Sequence, residues 1–276
     1  MKGIFPIEEF QQLETPFYYY DTELLRQTIQ VIKQEAGKHE GFCVHYAIKA
    51  NANPKVLNII AQEGLGADCV SGGEIRRCLE TGFAPKKIVY AGVGKADWEI
   101  NLGLDKRIFC FNVESIAELE IINELAGKKG KIADICFRIN PDVGAHTNAK
   151  ITTGLAENKF GIDMHYMEAA IEEASKMEHV RFIGLHFHIG SQILDMSDFV
   201  ALCNRINEIQ DQLERHHIHI ENINVGGGLG IDYVHPNRVP IPDFKAYFDT
   251  YARHLKLREI YVMDVKTRTL LDDHIV

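Results

Sequence analysis

The amino-acid sequence predicts an α/β fold of the TIM-like (β/α)8 barrel type, and two observations lead to this prediction. First, short runs of β-branched and apolar residues alternate with amphipathic stretches of helical periodicity, which is typical of repeated βα units around a parallel sheet. Second, polar residues that could bind a ligand or take part in catalysis lie where successive strands end, and a closed barrel gathers such positions around one rim. A doubly wound open sheet shares the alternation, but its site lies at a switch point in the strand order.

Seven strands are predicted in order. They are CVHYAIKA (43–50), GADCVS (66–71), KIVYAG (87–92), IFCFNV (108–113), ADICFRINP (133–141), FIGLHFHIG (182–190) and NINVGGG (222–228). The only candidate for an eighth, EIYVMDV at 259–265, lies close to a polar tail, so we expect this strand to be irregular or incomplete. The aromatic run PFYYY at 16–20 predicts a further short strand, which needs a partner outside the barrel.

Helix start and stop signals separate these strands. The segment NPKVLNIIAQEG begins with Asn53 and Pro54, carries apolar residues at helical spacing and ends at Gly64. SGGEIRRCLETG and NVESIAELEIINELAGKKG follow the same pattern. No Pro/Gly/Ser-rich linker or low-complexity tract interrupts the alternation of strands and helices, so the sequence predicts one domain over residues 1–276.

Composition and charge argue against several classes of protein. The net charge of -9 and the pI near 5.8, without a clustered basic face, argue against nucleic-acid binding. No apolar run approaches the roughly 18 residues of a membrane span, and acidic residues follow the N-terminus too early for a signal peptide. We therefore expect a cytoplasmic protein.

The six cysteines are scattered, without a C-x-x-C pair or a histidine at metal-ligand spacing. We interpret them as reduced thiols of the core, as is usual in the reducing cytoplasm. No metal site is predicted.

Lys49, at the end of the first predicted strand, has two possible interpretations. A lysine at a strand mouth either extends its charge to water or, if partly desolvated, has a lowered pKa and acts as a nucleophile toward aldehydes. The strand alone leaves both open.

Two further motifs favour the second interpretation. In NVGGGLGID, Gly226, Gly227 and Gly228 directly follow a strand, so their backbone N–H groups could approach an anion, although a tight turn would also explain them. In GLHFHIGSQ, alternation sends His186 and His188 inward, and Ser191 follows at the strand end. A lysine for an aldehyde, a ring for stacking and a glycine cradle for a phosphate together indicate pyridoxal phosphate.

The stretches YAIKANANP, GADCVSGGE, RINPDVGAHTNAKITTGLAENKFG, HFHIGSQ and NVGGGLG together resemble the alanine-racemase-like pyridoxal-phosphate enzymes, in particular the diaminopimelate decarboxylase family, over residues 15–257. The resemblance implies an alanine racemase N-terminal-domain type of barrel. It assigns the covalent bond to the cofactor to Lys49, ring stacking to His188, phosphate binding to Ser191, Gly226, Gly227 and Gly228, and proton traffic near the lysine to Asp68. Arg138 and His146 are further rim candidates without an assigned role.

The sequence departs from the family after residue 257. The family's eighth strand carries a Glu-Pro-Gly-Arg type element, which this segment lacks, and the family continues into a C-terminal β domain with a proton-donating cysteine and a site-sharing homodimer. We expect residues 258–276 to form a divergent tail and the dimer to be impaired or altered. Asp264 could replace the missing glutamate if its strand points it inward.

The resemblance implies decarboxylation of meso-2,6-diaminopimelate to L-lysine and carbon dioxide. Three alternatives remain at this level: decarboxylation of another basic amino acid, a barrel that binds the cofactor without turnover, and a small pyridoxal-phosphate homeostasis barrel.

Overall fold

The computed structural model describes residues 5–144, 160–235 and 238–256, together with two short strands at 262–263 and 270–271. The strands are β1 His45–Ala47, β2 Gly66–Cys69, β3 Ile88–Tyr90, β4 Cys110–Val113, β5 Ala133–Asn140, β6 Ile162–Asp163, β7 Val180–His186, β8 Asn222–Asn224, β9 Val262–Met263 and β10 Leu270–Leu271. The α-helices are α1 Ile7–Phe10, α2 Thr22–Ala36, α3 Pro54–Gln62, α4 Gly72–Glu80, α5 Asp97–Lys106, α6 Ile116–Lys128, α7 Met167–Ser175, α8 Met196–Arg215 and α9 Phe244–His254.

One curled parallel sheet organises the molecule. Its hydrogen-bonded path runs β1-β2-β3-β4-β5-β7-β8, and the two-residue strand β6 pairs with the end of β5. Helices follow the strands in turn, as expected for right-handed βα units. All seven predicted strands are confirmed, and so is the TIM-like α/β fold. In the described part of the chain no ladder joins β1 to β8, so the eighth strand is incomplete, as the sequence predicts.

Only Val262 and Met263 of the predicted eighth strand are described, and they form β9. This strand pairs antiparallel with β10, in a two-stranded sheet separate from the curled sheet. Asp264 lies outside the described residues.

The predicted aromatic strand at 16–20 is wrong. These residues are in an irregular segment before α2, and Tyr18 is 90% exposed. Strand propensity needs a neighbouring strand to supply hydrogen-bond partners, and among the described residues no strand lies beside this segment. The segment packs locally instead, with the rings of Phe10 and Tyr19 at 4.9 Å in an edge-to-face arrangement.

The predicted helix signals are confirmed. The Asn53 side chain accepts a hydrogen bond from the N–H of Lys55 at 2.9 Å, and Pro54 is the first residue of α3. Ser71 caps α4 and Ser115 caps α6 in the same manner, each at 3.2 Å from the nitrogen three residues on. These caps directly follow β2 and β4, so the starts of the helices lie at the carboxyl rim of the sheet.

The apolar core fills the layer between the sheet and the helices. A smaller cluster of Val89, Cys110, Cys136 and Ile183, with Phe109 packed against it, lies on four of the sheet's strands below the polar rim. Five of the six cysteines are buried free thiols, as expected, whereas Cys43 is exposed because it precedes the first strand. Among the described helices, none is long and apolar enough to cross a membrane.

Candidate functional site

The carboxyl ends of the strands gather polar side chains at one rim of the sheet. Lys49 follows β1, Asp68 lies in β2, Glu114 follows β4, Arg138 lies near the end of β5, His186 ends β7, and Gly226 to Gly228 follow β8. Parallel strands all end at the same edge, so residues from distant parts of the sequence meet there.

Lys49 is placed at this rim, but not in the way that the sequence predicts. Strand β1 ends at Ala47, and Lys49 lies in the 3-10 turn Ile48–Ala50 that follows. Ile48 is buried and anchors the turn, whereas Lys49 is exposed. Of the two interpretations, the structure thus shows the lysine at the surface, because it lies in the turn beyond the strand. Its amine is accessible to a ligand from solvent.

Asp68 lies beside Ala47 of β1 and Val89 of β3 in the sheet register. Burial raises the pKa of its carboxyl to about 6, and the charge of Lys49 opposes this shift. Its Oδ1 atom is buried without a hydrogen-bond partner among the described residues. Asp68 is therefore a carboxyl group that exchanges its proton near neutral pH in the neighbourhood of Lys49.

His188 lies just beyond β7 and contacts the glycine loop. Its Nδ1 atom is 3.1 Å from the carbonyl oxygen of Gly226. Because a carbonyl oxygen only accepts, Nδ1 carries the hydrogen. Burial, together with the charges of Arg138 and Lys49, lowers the pKa of His188 to about 4, and the hydrogen bond to Gly226 opposes this shift. The imidazole is thus neutral at physiological pH.

His186, two residues earlier, is fully inside the sheet. Burial lowers the pKa of this imidazole well below its usual value, and the nearby Arg138 charge acts in the same direction. Its Nδ1 atom has no hydrogen-bond partner within the described ranges. His186 is the register partner of both Arg138 on β5 and Asn224 on β8.

The loop Gly226–Gly228 approaches the backbone of the β7 end closely. All three glycines have positive φ, at 78°, 79° and 103°. A Cβ at Gly226 would lie 2.1 Å from the Phe187 carbonyl oxygen, and one at Gly228 would lie 2.4 Å from that of Gly190. At Gly227 nothing lies within 4 Å, so this residue faces open space. Gly226 and Gly228 thus allow the loop to pack directly against the backbone, and its open side at Gly227 leaves room for an anion.

Ser191 directly follows Gly190 and is exposed. Beyond it, Ile193 donates a backbone hydrogen bond to the Gly228 carbonyl at 2.9 Å, so this segment and the glycine loop run side by side. The structure thus brings Ser191, His188 and the three glycines to one corner of the rim. His146 lies outside the described residues.

The structure also shows a buried charge network at the rim that the sequence analysis missed, apart from Arg138. Glu114 accepts hydrogen bonds from Arg138 Nη1 at 3.1 and 3.2 Å. The Lys95 side chain is 1% exposed, and its Nζ atom is 2.6 Å from Glu118 Oε1. In the sequence, Glu114 directly follows the strand β4 and Lys95 lies in the loop after β3, and these positions could have indicated a role. Both residues also look like ordinary surface charges.

These residues fit a flat heterocycle with an aldehyde and a phosphate. The glycine cradle suits a phosphate, the neutral His188 ring suits an aromatic face, and Lys49 offers an accessible amine. The unpartnered buried atoms of Asp68 and His186 offer further polar contacts within the same rim. Fold and site together define a cofactor-binding parallel βα barrel.

The chain belongs to the pyridoxal-dependent decarboxylases, whose pyridoxal binding domain matches residues 23–261. It is 69% identical to the diaminopimelate decarboxylase of Bacteroides thetaiotaomicron over 94% of this chain and 67% of that protein. The diaminopimelate decarboxylase of Aquifex aeolicus is 38% identical over 88% of this chain and 57% of its own length.

Solved structures of diaminopimelate decarboxylases resemble this chain in fold as well as in sequence. The diaminopimelate decarboxylase from Helicobacter pylori complexed with L-lysine superposes with a TM-score of 0.83 at 36% identity, covering 90% of this chain and 62% of that one. The enzyme from Methanocaldococcus jannaschii in complex with L-lysine gives a TM-score of 0.82 at 37% identity, over 91% of this chain and 61% of that one. The chain therefore spans roughly 57 to 67% of the length of these relatives.

Proposed function

We propose that this chain is the cofactor-binding part of a diaminopimelate decarboxylase, which converts meso-2,6-diaminopimelate to L-lysine and carbon dioxide. The observation that carries the proposal is the 69% identity to a diaminopimelate decarboxylase over nearly the whole chain. The resemblance of two relatives that bind L-lysine, the product of this reaction, supports the same substrate class.

Lys49 would hold pyridoxal phosphate covalently through its exposed amine. When bound, this cofactor supplies an electron sink for the electron pair that remains after carbon dioxide leaves. Asp68 has a pKa of about 6 and an unpartnered oxygen, so it is suited to take up and return a proton near the Lys49 amine.

His188 would lie against the cofactor ring. Its Nδ1–H is held by the Gly226 carbonyl, which fixes the ring orientation, and its low pKa keeps the imidazole uncharged at neutral pH. A neutral imidazole would stack on an aromatic ring without adding a positive charge to the site.

The phosphate would lie at the glycine loop. The Gly226 N–H is taken by Asn224 Oδ1 at 2.9 Å, which shapes the loop. The described hydrogen bonds include none donated by the N–H groups of Gly227 and Gly228. These two amides, with the exposed Ser191 hydroxyl, are the donors that we assign to the phosphate.

The same proposal covers the setting of the reaction. We infer a cytoplasmic biosynthetic enzyme whose substrate is a free amino acid, acting as a homodimer. The biosynthetic role of the relatives supports the compartment, and the family resemblance supports the dimer.

The test is to trap the cofactor and then measure turnover on the same sample. Pyridoxal phosphate is added, the mixture is reduced with borohydride, and peptide mass spectrometry locates the pyridoxyl group. We expect it on Lys49, absent in Lys49→Ala and retained in Lys55→Ala, which removes an exposed lysine of α3. Carbon dioxide release from meso-diaminopimelate then tests the reaction.

Each outcome decides one part of the proposal. An adduct on Lys49 with gas release supports both cofactor site and reaction. An adduct without gas overturns turnover by this chain and leaves the binding site. Labelling that survives in Lys49→Ala overturns the assignment of Lys49.

A further inference from the structure

We propose that Glu114 is a positioning residue for this site, whose carboxylate fixes the Arg138 guanidinium on the inner wall of the sheet, where its charge reaches His188 and Asp68. The inference rests on the proposed function, since it concerns the site that would take pyridoxal phosphate. It adds a role for a residue outside the lysine, histidine and glycine set.

The geometry of Glu114 is that of a fixed anchor. Its side chain is 2% exposed. Its oxygens accept from the Gly92 N–H at 2.9 Å and from the Gly161 N–H at 3.2 Å, in addition to Arg138. One carboxylate therefore joins the loop after β3, the strand β5 and the segment before β6. Such a set of charge-assisted hydrogen bonds leaves the carboxylate little freedom to move.

Arg138 is the group through which Glu114 would act. Its side chain is only 11% exposed, and the Phe160 ring packs 4.9 Å from its guanidinium carbon. After burial, the Arg138 charge is the largest cause that lowers the pKa of His188, and Lys49 is the other charge that acts there. Arg138 also opposes the burial that raises the pKa of Asp68. Moving this guanidinium would thus change both groups.

Glu114 is itself held by a hydrogen bond from its backbone to a buried ion pair. Its backbone N–H donates to Glu118 Oε2 at 3.0 Å, and Glu118 Oε1 pairs with the buried Lys95. Lys95 Nζ also donates to the carbonyls of Gly92 and Asn112, each at 2.8 Å. The resulting set of contacts runs from a buried ion pair through Glu114 to Arg138, and holds Arg138 in one place.

The experiment is a double-mutant cycle read on His188 in the cofactor-free chain. The imidazole signal of His188 is identified by its loss in His188→Asn and followed by NMR from pH 8 downward in wild type, Glu114→Gln, Arg138→Gln and the double variant. Each single variant should move the His188 midpoint upward, because the guanidinium is displaced or removed. The double variant should move it no further than Arg138→Gln does.

A second readout is the dissociation constant for pyridoxal phosphate, which we expect to rise about tenfold in Glu114→Gln, a loss of about 1.4 kcal/mol. Glu63→Gln is the matched control, since Glu63 also pairs with an arginine, Arg26 at 3.4 Å, but on the outer helices. It should leave the His188 midpoint unchanged.

Two results would overturn the inference. One is a His188 midpoint that moves in Arg138→Gln but not in Glu114→Gln, which would make Glu114 a purely structural residue. The other is a double variant whose shift equals the sum of the single shifts. If Glu114→Gln does not fold, Glu114→Asp, which keeps the charge on a shorter side chain, must show a smaller upward movement. Because the titration uses no cofactor, its result does not depend on adduct formation at Lys49.

Discussion

The Nδ1 atom of His188 lies 3.1 Å from the carbonyl oxygen of Gly226, so the end of β7 and the loop after β8 are joined directly. Backbone contacts run beside this bond, because the N–H of Phe187 donates to the Asn224 carbonyl at 2.8 Å. The ring that would face the cofactor and the loop that would hold its phosphate are therefore hydrogen-bonded to each other. Their mutual position depends on glycine at position 226, because a Cβ there would clash with the Phe187 carbonyl oxygen.

The glycine loop makes the first prediction. Gly226→Ala should lower the free energy of unfolding by about 3 kcal/mol, because it combines a positive φ with a backbone clash. Gly227→Ala meets no atom within 4 Å and should cost about 1 kcal/mol, from the positive φ alone. Chemical denaturation of both variants measures the difference. Equal losses would show that the close approach to Phe187 does not matter.

Asp68 makes the second prediction, on pH. Its pKa in the folded chain is about 6, above the usual value of 3.8, so between these values the folded state binds more protons than the unfolded state. Stability due to this group is therefore present at low pH and is lost as the pH rises from about 4 to 6. The loss should be on the order of 2–3 kcal/mol.

The measurement is urea unfolding of wild type and Asp68→Asn at several pH values. The variant should gain stability over wild type as the pH rises through this window, and the difference should be constant above it. A difference that does not vary with pH would contradict the raised pKa.

The buried pair of Lys95 and Glu118 makes the third prediction. Lys95→Met should lower the free energy of unfolding by about 3–5 kcal/mol, because it leaves Glu118 buried without its cation. Burial already raises the pKa of Glu118, and Lys95 opposes that shift. Calorimetry of Lys95→Met beside Lys128→Met, which breaks an exposed pair with Glu124, checks this. The exposed variant should stay close to wild type.

The cysteines make the fourth prediction. In the folded chain one thiol, that of Cys43, should react rapidly with an aromatic disulfide reagent, because the other five are buried. The buried Cys203 thiol is also a poor nucleophile, since burial raises its pKa to about 12. Rapid release of more than one equivalent of reagent thiol, or a fast phase that persists in Cys43→Ser, would contradict the described burial.

The sequence by itself determined the order and type of the main elements. Strand runs such as ADICFRINP and helix signals such as Asn53–Pro54 depend on neighbours within a few residues, so they can be read locally. The motifs around Lys49, His188 and Gly226 were found in the same way, because each follows a strand. Parallel strands end at one edge, so these positions had to converge.

The tertiary structure alone decided how those residues are surrounded. The exposure of Lys49 depends on a turn packed through Ile48, and the irregular course of the aromatic segment depends on the absence of a neighbouring strand among the described residues. The pairs of Glu114 with Arg138 and of Lys95 with Glu118 join residues more than 20 positions apart. Burial and ion pairing depend on such long-range contacts, so they cannot be predicted from local periodicity.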